Sequence, residues 1–190
     1  MIHRATPAEY ETVVNVLSDA FATDPLTRWL FPHTIELATT FYFHPLLAHP
    51  DAEADLTPGN TAASIWLHLT RGQSAYGEPS TQPVPTAAHR LQALGQALAP
   101  RHPRDQAYIY LPCMGVTSAH RGGGLGSAML RHRIAWADSL GLGTYLEASS
   151  PRSRALYLRH GFHDHGEPIR VADSPAIWPM WRPTTTGDHR

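Results

Sequence analysis

The stretch His120–Ser127, "HRGGGLGS", decides how this chain is read. Four glycines, at 122, 123, 124 and 126, stand between an arginine and a serine. Upstream, "AYIYLPCMGV" (107–116) reads as a buried strand interrupted by Pro112. Downstream, Leu130, Ile134, Ala137 and Leu140 mark an amphipathic helix. A strand that passes through glycines into a helix builds an anion site. The first helical N–H groups have no backbone partner. The helix dipole adds partial positive charge, and glycine removes the side chains that would keep a phosphate away. Residues 121–127 are therefore read as a phosphate or pyrophosphate cradle. A flexible turn, glycine-rich by composition alone, is the weaker alternative, because strand and helix flank the loop on both sides.

The identity of the phosphate ligand follows from what the loop lacks. A Walker loop needs lysine before its Ser or Thr, and this chain has no lysine: its fifteen basic residues are all arginine. A dinucleotide fingerprint starts at Gly122 and Gly124 but meets Ser127 where Gly or Ala belongs. A third pattern, R/Q-x-x-G-x-G/A, is matched by Arg121, Gly124 and Gly126. At this point the chain resembles the GCN5-related N-acetyltransferase (GNAT) family. "MGVTSAHRGGGLGSAML" is similar to the family's coenzyme A loop with its strand and helix. "YLEASSPRSRALYLRHGF" looks like the next strand and helix, and "SPAIWPMWRP" is similar to the final strand of a branch that includes puromycin N-acetyltransferase-like proteins. The motif match covers residues 107–182; the N-terminal half matches in outline.

The resemblance implies a mixed α/β (α+β) fold, with a twisted sheet of about six or seven strands splayed at its centre and helices on both faces. It also implies direct transfer of an acetyl group from acetyl-CoA to a primary amine in a ternary complex. Met114 and Val116 would hold the pantetheine arm through their main chains. Arg121, Gly122, Gly124, Leu125, Gly126 and Ser127 would hold the diphosphate. Tyr157 is the expected general acid for the departing thiolate. Ser150 stands where relatives carry a cofactor-contacting asparagine, and an N-cap role competes with that contact. The attacking amine must be neutral, and an ammonium of pKa about 10 needs a base at neutral pH. Glu147 is the first choice, ahead of His68 and Glu78. Arg152 and Arg154 are set against the 3′-phosphate of coenzyme A, with a solvated helix face as the stronger account. Trp29 and Trp66 are candidates for an acceptor wall.

Composition narrows the alternatives. The chain has 190 residues, 42% of them hydrophobic, and a net charge of −1. These values suit a globular chain and advertise no nucleic-acid or membrane surface. One domain over residues 1–182 with a frayed tail over 183–190 is expected. One cysteine, Cys113, allows no internal disulfide and fits a reducing cytoplasm; flanked by apolar residues, it reads as a core thiol. The N-terminus lacks the apolar run of a signal peptide. His160, His163, Asp164 and His165 span a helix end, a turn and a strand start, so no metal site is expected. The acceptor is expected to be a small amine, an antibiotic or aminonucleoside among the options. A protein N-terminus or lysine, or a non-catalytic acyl-CoA sensor, stand as alternatives, and a homodimer is expected from the resemblance.

Local signals fill in the rest. "MIHRAT" reads as an edge strand, and Thr6, Pro7 and Glu9 open a helix over 7–22. "DPLTRWLFP" holds a short helix, and 34–48 is helical. Residues 52–69 form a hairpin about Pro58-Gly59-Asn60. A loop over 77–85 precedes a helix over 86–98. "GTYLEAS" is a strand, Ser150 caps a helix over 151–160, Gly161 ends it, and two closing strands follow.

Overall fold

In a computed structural model that describes residues 1–32, 34–76 and 85–185, seven strands form one sheet. They are β1 (His3–Arg4), β2 (Ala52–Leu56), β3 (Ala62–Leu69), β4 (Tyr108–Val116), β5 (Gly143–Ala148), β6 (His163–Asp164) and β7 (Trp178–Arg182). Their order is β1-β2-β3-β4-β5-β7-β6. All neighbours are antiparallel except β4 and β5, which run parallel. A parallel pair needs a crossover, and the helix that follows the glycines supplies it. The mixed, two-sided fold expected from the sequence is the fold observed.

The chain enters through a reciprocal cap. Glu9 accepts from the Thr6 N–H and hydroxyl, both at 2.9 Å, and a 3-10 turn leads into α1 (Tyr10–Phe21). Asp24 caps α2 (Pro25–Leu30), accepting from the Thr27 N–H at 2.9 Å. Next come α3 (Glu36–Ala38), a π-helical stretch Thr39–Phe43 and α4 (His44–Leu47). The hairpin turns at Gly59 (φ 73°) and Asn60 (φ 55°), residues that tolerate positive φ. Helix α5 (His89–Leu98) buries Leu94 and Leu98. Of the expected loop over 77–85, residues 77–84 lie outside the described residues.

Helix α6 (Leu125–Ser139) buries Leu130, Ile134 and Ala137 as its spacing requires. Leu140 is a correction: it follows the helix, points to solvent and is 48% exposed. Arg133 takes a place on the buried face instead, beside Trp66 and Trp136. It forks onto Asp55 of β2 at 2.9 and 2.6 Å. Helix α7 (Pro151–Leu158) is capped by Ser150, which accepts from the Ser153 N–H at 3.1 Å.

Two layers cover the sheet. Because successive strand residues face opposite sides, Ala63, Ile65 and Cys113 pack under α1, while Trp66, Ile109, Leu111 and Leu146 pack under α6 and α7. Thr185, inside the segment expected to fray, donates from its N–H and hydroxyl to Asp138 at 3.1 and 2.7 Å. Residues 186–190 lie outside the described residues. Among the described residues no helix is long and apolar enough to cross a membrane.

Candidate active site

The site begins where two strands part. Pairing between β4 and β5 runs from Tyr108–Gly143 to Leu111–Leu146 and stops there. On its other side β4 stays paired with β3 as far as Val116. Pro112 does not interrupt β4, as the sequence reading had it. The strand runs through it, and the register with β3 slips between Ile65 and Leu67 to absorb one extra residue. Proline has no N–H to lose from the ladder, so the slip falls where it costs least. Beyond it, Thr117 donates to the Thr61 carbonyl across the β3 side at 2.9 Å. Strand alternation then turns the main-chain groups of Met114 and Val116 the other way, into the gap that β5 has left.

Gly115, between them, owes its identity to packing. A Cβ there would stand 2.4 Å from the Ala20 Cβ of α1. At the glycine loop, Gly122 (φ 86°) and Gly124 (φ 80°) hold a left-handed backbone, and Gly124 is the N-cap of α6. A Cβ on either would meet open space. Conformation rather than crowding therefore demands these two glycines. Arg121 is not held out as a free cation: its guanidinium donates to the Ala20 carbonyl at 2.7 Å, fastening the loop to the end of α1.

The loop and the gap share one cavity of about 970 Å³. Arg121, Gly122, Gly124, Leu125, Gly126 and Ser127 line it, as do Met114, Val116, Ser150 and Tyr157. The Ser127 hydroxyl meets Nε2 of His160 at 3.0 Å, and burial with nearby Arg131 and Arg159 pushes that imidazole down, towards its neutral form. Of the two arginines weighed for a 3′-phosphate, Arg154 is bound in a fork to Asp164. Arg152 lines the cavity. Ser150 performs the cap and also lines the cavity.

Tyr157 reaches the cavity from α7 and is 7% exposed. Its ring packs on Phe162, and its hydroxyl makes no hydrogen bond among the described residues. Burial pushes the phenol well above its usual value, with Cys113 and Asp24 adding to it. Glu147 lies on β5 and lines the same cavity, with its side chain 7% exposed. The Tyr110 hydroxyl donates to its Oε2 at 2.8 Å. Burial first, then the Glu147 carboxylate, pushes the Tyr110 phenol up, so that it remains a donor. The same cavity is lined by apolar side chains, Phe31, Phe41, Leu46, Leu91 and Leu94 among them.

Several expected residues lie elsewhere. Trp66 is a correction: it is 1% exposed on the α6 side of the sheet, and its indole donates to Ser64 at 2.7 Å. Trp29 is another, with its indole donating to Asp173 at 2.8 Å and Arg90 stacked on its ring, outside the cavity lining. His68 is exposed against Trp136, and Glu78 lies outside the described residues. Cys113 is buried, and burial pushes its thiol up, consistent with a core role. Sequence reading missed Tyr42, Tyr110 and His102. The alternation of Tyr108 and Tyr110 was the available signal, since Tyr110 pairs with Tyr145, two residues before Glu147.

A sequence model of the Acetyltransferase (GNAT) family matches residues 57–162, more than half of the chain. The chain is similar over 99% of its length, at 25% identity and a TM-score of 0.68, to a structure described as histone acetyltransferase HPA2 and related acetyltransferase from Corynebacterium glutamicum, of which it covers 98%. The same fold recurs in arylalkylamine N-acetyltransferase 2 from Aedes aegypti: 13% identity, TM-score 0.71, 97% of this chain and 99% of that one. It recurs again in the ribosomal-protein-S18-alanine N-acetyltransferase from Escherichia coli: 17% identity, TM-score 0.60, 100% and 97%. The chain belongs to the GNAT acetyltransferase family and is an acetyl-CoA-dependent N-acetyltransferase. The residues present fit that donor. Amides open a helix at one end of the cavity, and unpaired strand backbone runs along the gap.

Proposed function

We propose that this enzyme acetylates the primary amine of a small molecule with an apolar body. One observation carries the reading: Glu147, a carboxylate whose side chain is 7% exposed and whose Oε1 has no hydrogen-bond partner among the described residues, lines the same cavity as the glycine loop and a set of apolar side chains. A buried carboxylate is costly without a cationic or hydrogen-bonding partner. An ammonium group meets that need, and the leucines of α5 with Phe31 and Phe41 suit the apolar remainder.

Bound acetyl-CoA supplies the thioester carbon that the amine attacks. The chain does the rest. The first amides of α6 and the bare backbone at Gly124 would hold the diphosphate. Met114 and Val116 would offer main-chain groups to the pantetheine amides, and a main-chain donor near Met114 would face the acyl oxygen. Glu147 takes the proton of the ammonium and leaves a neutral nucleophile. Burial keeps the Tyr157 phenol protonated, and that proton would pass to the departing thiolate.

Thiol release from acetyl-CoA, followed with a panel of amines, tests the reading. Arylalkyl and alkyl amines should turn over with higher kcat/KM than polyhydroxylated amines or peptide N-termini. Preference for peptides would overturn the small-molecule reading. Coenzyme A binding without any thiol release would make the protein a sensor.

A further inference from the structure

Behind Glu147 lies an imidazole that the reaction as described leaves unused. His102, in the turn between α5 and β4, is 8% exposed. Its Nδ1 is 2.8 Å from the Tyr108 hydroxyl, and its Nε2 is 3.1 Å from the Tyr76 hydroxyl. The same Nε2 stands 2.9 Å from Oε1 of Glu147. That approach is off line for a hydrogen bond, and Oε1 has no hydrogen-bond partner among the described residues. So one oxygen of the carboxylate is held by Tyr110, while the other is buried, unpaired and beside a titratable nitrogen. An unsatisfied buried acceptor is costly and calls for an explanation.

His102 also borders a second pocket, of about 520 Å³, which Glu147 does not line. Arg101, Arg104, Asp105 and His165 line that pocket, and Arg104 and Asp105 are exposed. His102 thus borders that separate opening while its Nε2 stands beside the Glu147 carboxylate. We infer that His102 is a positioning residue that draws the substrate's proton off Glu147 and delivers it to water in the second pocket. The inference rests on the proposed role of Glu147.

The proton passes from the ammonium nitrogen to Oε1 of Glu147, then, as the ring turns Nε2 from the Tyr76 hydroxyl into line with that oxygen, to Nε2 of His102, and the imidazolium releases it to water. Only N–H and O–H bonds form and break, and carboxylate and neutral imidazole are restored. The groups facing His102 are Tyr108 and Tyr110 from β4, Tyr145 and Glu147 from β5, and Tyr76 after β3. Burial keeps these phenols protonated. Glu147 is the only carboxylate among the described residues within ion-pair distance of the ring.

His102→Gln keeps hydrogen-bonding atoms but cannot carry a proton. With an amine that wild type accepts, this variant should lose about tenfold or more in kcat near neutral pH, part of what acid–base catalysis supplies, with KM for acetyl-CoA unchanged. The deficit should close as pH rises towards the amine's own pKa, about 10, because the amine then arrives neutral. A deficit that stays constant with pH, or no deficit, overturns the relay and leaves the proposed function standing. If wild type releases no thiol with any amine, the proposed function fails and the relay with it. Should His102→Gln not fold, His102→Asn read through the same pH series decides, and a constant or absent deficit again overturns the relay.

Discussion

Tyr42 donates its hydroxyl proton to the carbonyl of Pro112 across 2.9 Å. The bond falls just past the last pairing of β4 with β5, so a side chain from the π-helical stretch takes a carbonyl that the neighbouring strand has abandoned. Tyr42→Phe removes the donor and keeps the ring against Phe43. The variant should lose about 1–2 kcal/mol of stability. Urea unfolding checks this as a lower midpoint at unchanged slope.

Tyr157→Phe should leave packing on Phe162 intact and lower kcat by about 10²-fold or more, with KM for acetyl-CoA little altered. Burial holds the phenol well above its usual value. Wild type should accordingly show no loss of rate as pH passes the ordinary phenol range, about 10. Thiol release across a pH series measures both.

Arg133 and Asp55 are 3% and 2% exposed and joined by two hydrogen bonds. Arg133→Met strands a buried carboxylate and should cost about 3–5 kcal/mol. Arg133→Lys keeps the charge but not the fork, and should still destabilise. Combining Arg133→Met with Asp55→Leu should recover much of the loss, because an apolar pair carries no desolvation penalty. Chemical unfolding of the three variants supplies the comparison.

Acid should act through Asp138. Hydrogen bonds from Arg182, with Thr185 assisting, hold its carboxyl at about 2 against an ordinary 3.8. A depressed folded value favours the folded state wherever the carboxylate is ionised. That contribution is whole above 3.8 and disappears as pH falls towards 2. Asp138→Asn should be less stable at neutral pH and lose less on acidification. Urea midpoints across an acidic pH series would show the two curves converging.

Local grammar was legible in the chain. The Thr6–Glu9 and Ser150–Ser153 caps, the turn at Gly59 and the glycine loop each depend on residues a few positions apart, so their chemistry could be read directly. What stayed hidden depends on register. Whether Trp66 faces the cavity or α6 is a matter of one residue in a period of two, and the slip opposite Pro112 lies in the neighbouring strand. Arg133 carries no local signal for burial, because its partner lies 78 positions earlier. His102 meets Glu147 only because β4 and β5 pair with Tyr110 beside Tyr145.

At Gly115 the first helix rests on bare backbone, and the neighbouring loop is tied to that helix twice, through Arg121 on Ala20 and Ser118 on Asp19. A methyl group at 115 would therefore be felt twice over. It would wedge α1 outward and drag the anchored cradle with it, so the interior and the mouth of the donor channel have to evolve in step.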